Sequence, residues 1–366
     1  MSIGLGIVGL GPAGVAMLGA AFGHDRVSVV AVADTDIDWL GPGPGDPRRY
    51  HSLDRLLEDD RVEAVHIATP TPTHLDYVLR ALRAGRHVIV EKPVTATARD
   101  AEELMTRAAT FGRVVIVGHS EAFEPYVRAV RGEVASGVIG TPTMVIAEKF
   151  TDWMRRPRLP AEWDPPSGGG LIRRQGVHQV DVVRTMTGAD FSVREAQLRI
   201  DPERGVAGTY TAWLSSEDGL SAVITHDGVG RLSPAAGRTS AEGTDEADKR
   251  ARRRALLRRV LDERSAVRLG QADRERVVVL GTDGEIVASA RQVDVTTRAG
   301  SRAADLTGFA EGRQAVLDEL VAAISGAGRA VHDLAWGYES LRTCEEIERA
   351  SRPAPLARPA GSDSSR

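Results

Sequence analysis

The chain has 366 residues, 42% hydrophobic and 27% charged, with 47 Lys and Arg against 51 Asp and Glu. At roughly 150 residues per domain this length predicts two domains, and the composition excludes a disordered, collagen-like or coiled-coil chain. A net charge of -4 supplies no global field to capture nucleic acid or an anionic membrane, and the single cysteine, Cys344, excludes an internal disulfide and a thiolate metal cluster.

Cysteine usage points to a reducing, cytoplasmic compartment. The apolar N-terminus, MSIGLGIVGLGPAGVAMLGAAFG, has no basic leader, so no signal peptide is expected, and no other stretch offers the roughly 20 apolar residues of a membrane span. The first 120 residues alternate short apolar runs with amphipathic stretches. The runs at 3–10, 27–34, 64–69, 87–91 and 114–118 read as buried parallel strands. Helices between them start after Thr73 and Thr97 and end at glycines. This is the grammar of a doubly wound α/β sheet.

Beyond residue 120 the pattern changes. A helix over about 121–136 leads to the strand TMVIAEKF, a Pro-rich loop from Thr151 to Ser167, and a helix that begins after Gly168-Gly169-Gly170. Later strands come as hairpins, with turns at 215–219 and 281–284, so a large, mostly antiparallel sheet is expected. Helices over about 309–325 and 335–350 close the fold. The expected division is a dinucleotide-binding domain over 1–120 and an α+β domain for substrate binding and oligomerisation over 121–355, with a disordered tail over 356–366. Residues 228–259 read as an insertion, polar first and then a basic helix, KRARRRALLRR, that is either solvated or intersubunit.

Gly9-Leu10-Gly11-Pro12-Ala13-Gly14 is G-x-G-x-x-G between a predicted strand and a predicted helix. The first glycine permits the turn, the second lets backbone approach a pyrophosphate, and the third lets helix and strand pack. Asp34 ends the second strand, where a carboxylate hydrogen-bonds an adenosine ribose and repels a 2'-phosphate; the next residue, Thr35, is not the arginine common in NADP sites. NAD is therefore expected over NADP. Thr69-Pro70-Thr71-Pro72-Thr73-His74 and Glu91-Lys92-Pro93 follow the next core strands on the same carboxyl edge, which places Thr69, Pro70, His74, Glu91 and Lys92 beside the coenzyme. Thr73 also reads as a helix cap, and a lysine at a strand end is often only solvated.

The chain resembles the glucose-fructose oxidoreductase, inositol 2-dehydrogenase and rhizopine-catabolism (Gfo/Idh/MocA) family, through GLGPAG, Asp34, ATPTPTH, EKP and GGGLIRRQGVHQVD. The segments FTDWMRRPRLPAEWD, RQGVHQVDVVR and AVHDLAWGYESLRTCEEIE bring it closest to the phthalate dihydrodiol dehydrogenase branch. The resemblance implies a Rossmann domain followed by an α+β domain, packing of the second sheet face to face in a homodimer or homotetramer, and Lys92 and His178 as catalytic residues beside the nicotinamide. It further implies oxidation of a ring cis-diol that bears carboxylates. Family members commonly carry Asp four residues before the histidine, and this chain has Arg174 there.

Arg155, Arg156, Arg158, Arg173 and Arg174 bracket His178, and a guanidinium fork clamps a carboxylate bidentately. Arg155, Arg158, Arg174 and Gln175 are the candidates for substrate binding; the alternative is pairing with Asp152, Glu162 or Asp164. On an α-helix Arg174 shares a face with His178. Asp181 either orients the His178 imidazole and favours its protonated form, or pairs with Arg184. His119 ends a strand on the coenzyme edge and either touches substrate or packs. No metal-ligand spacing occurs. The expectation is an NAD-dependent oxidoreductase for a polar, anionic ring, with a sugar, nucleotide-sugar or cyclitol enzyme and a non-catalytic NAD-binding regulator as the alternatives.

Overall fold

The computed structural model describes residues 2–41, 45–156, 160–230, 246–263, 274–310 and 312–355. Arg158, residues 231–245 of the 228–259 insertion and the 356–366 tail lie outside these residues.

The first sheet holds β1 (Ile3–Val8), β2 (Val27–Ala33), β3 (Arg48–Tyr50), β4 (Ala64–Ile67), β5 (His87–Glu91) and β6 (Val115–Gly118), all parallel, in the order β3-β2-β1-β4-β5-β6. Its helices are α1 (Pro12–Phe22), α2 (Leu53–Leu57), α3 (His74–Arg83) and α4 (Ala98–Ala108). The five longer strands are apolar on both faces because helices cover both sides. Sequence periodicity does not reveal β3, since three residues are too few to show a period. The Thr97 hydroxyl caps α4 by accepting from Asp100 N, as expected. Thr73 does not cap α3. Its Oγ1 donates to the Pro70 carbonyl instead and lies 2.6 Å from Thr69 Oγ1, because a 3-10 turn over Thr71–Thr73 precedes the helix.

The second half runs through α5 (Pro125–Ala135), β7 (Pro142–Phe150), α6 (Pro160–Trp163), α7 (Val177–Thr187), β8 (Ser192–Ile200), β9 (Ala207–Ser215), β10 (Ser221–Asp227) and α8 (Glu246–Glu263). It ends with β11 (Arg274–Gly281), β12 (Gly284–Ser289), β13 (Gln292–Thr297), β14 (Gly300–Ala303), α9 (Gly312–Ile324), α10 (Leu334–Ala350) and β15 (Ser351–Pro355). The nine strands form one sheet in the order β14-β13-β12-β11-β7-β10-β9-β8-β15, antiparallel except for the β7–β10 and β8–β15 pairs. The edge strand β15 is not legible in the sequence: its prolines argue against a central strand but are tolerated at an edge.

Alternation decides which face of this sheet is core. In β9, Tyr210, Ala212 and Leu214 are buried while Thr211 and Trp213 point outward. Helices α5, α7 and α10 cover the inner face. At the end of the chain, α9 packs with α1 on one face of the first sheet through Val316, Leu317 and Leu320, and α10 packs on the other through Leu334 and Leu341. The two sheets are therefore tied together by α9 and α10 as well as by the connection through α5. Among the described residues no helix is long and apolar enough to cross a membrane.

Candidate active site

The strand order reverses between β1 and β4, and the loops after these strands flank a crevice at the carboxyl edge. Gly9 takes φ +88°, and a Cβ on Gly14 would lie 1.9 Å from the Gly9 carbonyl, so both glycines are required by the turn and by helix packing. Gly11 is different. A Cβ there would meet no atom within 4 Å, so nothing in the protein requires a glycine, whereas an approaching pyrophosphate does. The α1 N-terminus adds unpaired amides and a positive dipole end. Asp34 Oδ2 accepts from Leu10 N at 2.7 Å and Oδ1 from Asp36 N at 2.9 Å, which holds the carboxylate beside the glycine turn. These residues fit a dinucleotide, with pyrophosphate over Gly11 and ribose at Asp34.

The remaining expected coenzyme residues are brought to the same edge, though not all face the crevice in the same way. Thr35 follows Asp34 directly. His74 is buried and spans from the Thr69 carbonyl, 2.9 Å from Nε2, to the Pro93 carbonyl, 3.0 Å from Nδ1. It ties the Thr69–Pro70 loop to the Lys92–Pro93 loop. Glu91 lies 3.3 Å from His66; burial favours its neutral form, but the His66 hydrogen bond and the Arg313 and Lys92 charges prevail and hold it down to about 2.

Lys92 reaches across the crevice, and its Nζ donates to the Arg174 carbonyl at 2.9 Å. Burial, then the Arg174 charge, lowers this ammonium to about 7, against opposing pulls from Glu121 and Glu91. The Arg174 carbonyl is presented by a π-helical turn over Ile172–Gly176 that precedes α7. A wider turn breaks the regular α-helical ladder, and such turns recur at functional sites. The Arg174 guanidinium lies 3.2 Å from Glu162, half-buried.

His178 is 5% exposed, and its Nε2 lies 3.5 Å from Glu121 Oε1. Glu121 Oε2 in turn accepts from Lys149 Nζ at 2.6 Å. Burial holds His178 well below the ordinary imidazole range, and the cations Lys92, Lys149, Arg313 and Arg174 add to that effect. His178 is thus neutral at pH 7, contrary to the expectation that Asp181 keeps it protonated. Burial works against the Glu121 carboxylate too, yet the Lys149 charge and hydrogen bond keep it ionised.

Glu121 and Lys149 were missed in the sequence, although one signal was available. Alternation along TMVIAEKF places Lys149 on the face of Val145 and Ala147, a core position that needs a partner for its charge. Behind Lys149, the register-paired His226 is buried against Thr151 Oγ1 at 3.0 Å and held neutral, down to about 3, by burial and the Lys149 charge.

Asp181 faces away from His178. Its Oδ1 accepts from Trp336 Nε1 at 2.5 Å and its Oδ2 lies 3.4 Å from His119 Nδ1, without hydrogen-bond geometry. Burial raises this carboxyl to about 6, against the His332 charge and the Trp336 hydrogen bond. Arg184 bonds Asp190, Ser340 and the Trp336 carbonyl, so neither expected role of Asp181 is met. The reason is geometric: Asp181 projects toward α10, where Trp336 supplies a donor 155 residues away in sequence.

The arginines are dispersed. Arg155 donates to the Val229 carbonyl, Arg156 pairs with Asp152, and Arg173 clamps Glu348 and the Ala96 carbonyl, stapling α10 to the loop before α4. Of the expected clamp, the structure brings only Arg174 close to Lys92 and His178 among the described residues. Gln175 is half-buried on the same π turn.

Two family models match the chain. Residues 3–119 match "Oxidoreductase family, NAD-binding Rossmann fold" and residues 127–242 match "GFO/IDH/MocA C-terminal domain". A 1-carboxy-3-chloro-3,4-dihydroxycyclohexa-1,5-diene dehydrogenase of Comamonas testosteroni is 29% identical over 95% of each chain. A dTDP-3,4-didehydro-2,6-dideoxy-alpha-D-glucose 3-reductase of Actinomadura kijaniata is 32% identical over 46% of this chain and 51% of its own. The solved structure of a Bordetella bronchiseptica RB50 protein superposes with a TM-score of 0.78 at 29% identity, covering 96% of this chain and 98% of that one.

Proposed function

The chain belongs to the Gfo/Idh/MocA oxidoreductase family and is an NAD-dependent dehydrogenase or reductase, and from that premise we propose that it oxidises a hydroxyl carbon of a carboxylated cyclic diol. The observation that carries this reading is the charge felt at His178: Lys92, Lys149, Arg313 and Arg174 all act on its imidazole, while Glu121, paired with Lys149, and Glu162, paired with Arg174, offset part of their field. A pocket of that sign attracts an anionic ring. The full-length similarity to a dehydrogenase named for a carboxylated dihydroxycyclohexadiene supports the same substrate class.

The coenzyme supplies a hydride acceptor at the crevice. Lys92, with an Nζ that titrates at about 7, is matched to take the hydroxyl proton as the C–H bond breaks and the carbonyl forms. In the reverse direction its ammonium returns the proton to the nascent oxygen. Neutral His178 hydrogen-bonds the reacting oxygen and holds it toward Lys92. By sequence, Lys92 holds the reacting oxygen and His178 exchanges its proton; the two roles are exchanged here, because burial among cations leaves the imidazole too weak a base.

Arg174→Ala is expected to raise KM for a carboxylated diol about ten- to hundred-fold, since the clamp acts equally on ground and transition states, and to leave kcat little changed only at pH well above the Lys92 midpoint, which loss of the Arg174 charge moves above about 7. A panel of carboxylated and neutral cyclic diols, assayed by NADH formation, checks this. If neutral sugars or cyclitols are turned over as well and Arg174→Ala leaves their KM ratio to the acids unchanged, the anionic-ring reading fails and the nucleotide-sugar or cyclitol reading takes its place.

Assembly follows from the outer face of the nine-stranded sheet, which leaves Trp213 49% and Phe150 37% exposed beside a groove lined by Glu148, Arg276 and Val287. We propose that a second copy covers this face. Light scattering is expected to return twice or four times 39.2 kDa at micromolar concentration; the monomer mass contradicts it.

A further inference from the structure

The basic helix of the insertion has one face seated on its own chain. In the structure α8 packs against α1, and Leu256 and Leu257 join the core that α1 and β2 share. From this seat Arg254 Nε donates to the Trp39 carbonyl at 3.1 Å, and the Arg253 guanidinium lies 6.0 Å from the centre of the Trp39 ring. Arg253 Nη1 then reaches Asp34 Oδ1 at 3.4 Å, and Arg250 Nε donates to Asp36 Oδ2 at 3.0 Å.

Asp34 is the carboxylate that meets the adenosine ribose. Alone with Asp36 beside it, it would present two negative charges to the 2'-phosphate of NADP, a strongly unfavourable juxtaposition. The helix places one guanidinium on each. Because Leu10 N and Asp36 N already occupy Asp34, the contribution of Arg253 is mainly to cancel charge at the position where a 2'-hydroxyl or a 2'-phosphate enters.

We infer that Arg253, with Arg250 behind it, sets the coenzyme selectivity of this protein: by screening Asp34 it narrows the margin by which NAD(H) is preferred over NADP(H). The ammonium or guanidinium charge, not packing, carries the effect. Fluorescence titration of the full chain with NADH and NADPH gives the ratio of the two Kd values, and a loss of active protein cancels in that ratio.

Arg253→Ala and Arg253→Gln are both expected to raise Kd(NADPH)/Kd(NADH) about ten-fold, the equivalent of one removed unit charge at this range. Arg253→Lys is expected to hold the ratio within about two-fold of the parent, because a charge-conserving change leaves the Coulomb interaction in place. A ratio that stays unchanged or falls in both neutral variants overturns the proposal, as does Arg253→Lys behaving like Arg253→Gln. Equal weakening of both coenzymes also overturns it, since α8 would then be a structural brace alone.

Discussion

Replacing Lys92 by alanine is expected to lower turnover by about two to four orders of magnitude while leaving the NADH titration curve in place, because the proposed mechanism sets Lys92 on the reacting oxygen and the coenzyme on the Gly9–Gly14 turn and Asp34. The pH dependence identifies the group. Burial and the Arg174 charge lower the Lys92 pKa to about 7, so its neutral amine accumulates as pH rises through that value. Oxidation, which needs the amine as base, therefore climbs with pH up to about 7 and levels above it. Reduction, which needs the ammonium, is fastest below about 7 and falls as pH rises. His178→Ala costs a similar two to four orders in turnover but retains this midpoint, since Lys92 still titrates. An alanine variant at Lys92 with full activity, or an oxidation rate independent of pH between 5 and 9, removes Lys92 from the chemistry.

Glu121→Ala is expected to cost up to about 3 kcal/mol of stability, the lower end of the range for leaving a buried charge without its partner, because the Glu121 carboxylate itself is half-buried. Glu121 bonds Lys149 at 2.6 Å, and the Lys149 side chain is only 4% exposed. Urea denaturation checks it, and Glu121→Ala combined with Lys149→Met is expected to recover most of the loss, because no buried cation then remains at that position. The sign with pH follows from the direction of the shift. The Glu121 pKa is lowered in the fold, so its contribution is complete above the ordinary carboxylate range and disappears as pH falls through and below it. The difference between parent and Glu121→Ala should thus be widest near neutrality and shrink in acid. Glu121 also supports the ammonium of Lys92, so in this variant the pH midpoint of oxidation moves below the parent value of about 7. A midpoint that stays fixed would mean that Glu121 serves the fold without reaching the chemistry.

The features legible from residue order are ones set by neighbours along the chain, although the 3-10 turn over Thr71–Thr73, β3 and the π turn over Ile172–Gly176 escaped it. Apolar runs with the right breaks marked the five longer strands of the first sheet, and G-x-G-x-x-G could be read at Gly9–Gly14 because a turn, a helix start and a strand end are all local events. Lys92 was found for the same reason, since its place one residue after a core strand already puts it on the carboxyl edge.

Pairings between distant segments emerge only from packing. Asp181 finds His119 and Trp336 rather than His178, and Arg173 leaves the substrate side for Glu348. Glu121 and Lys149 come from a 3-10 turn and a strand of the other sheet, 28 residues apart, and meet only when the second sheet packs under His178. Arg253 reaches Asp34 across 219 residues because two leucines seat its helix on α1. A charge read along a chain has a sign but no partner. Burial makes the partner decisive, and burial is set by how the elements pack.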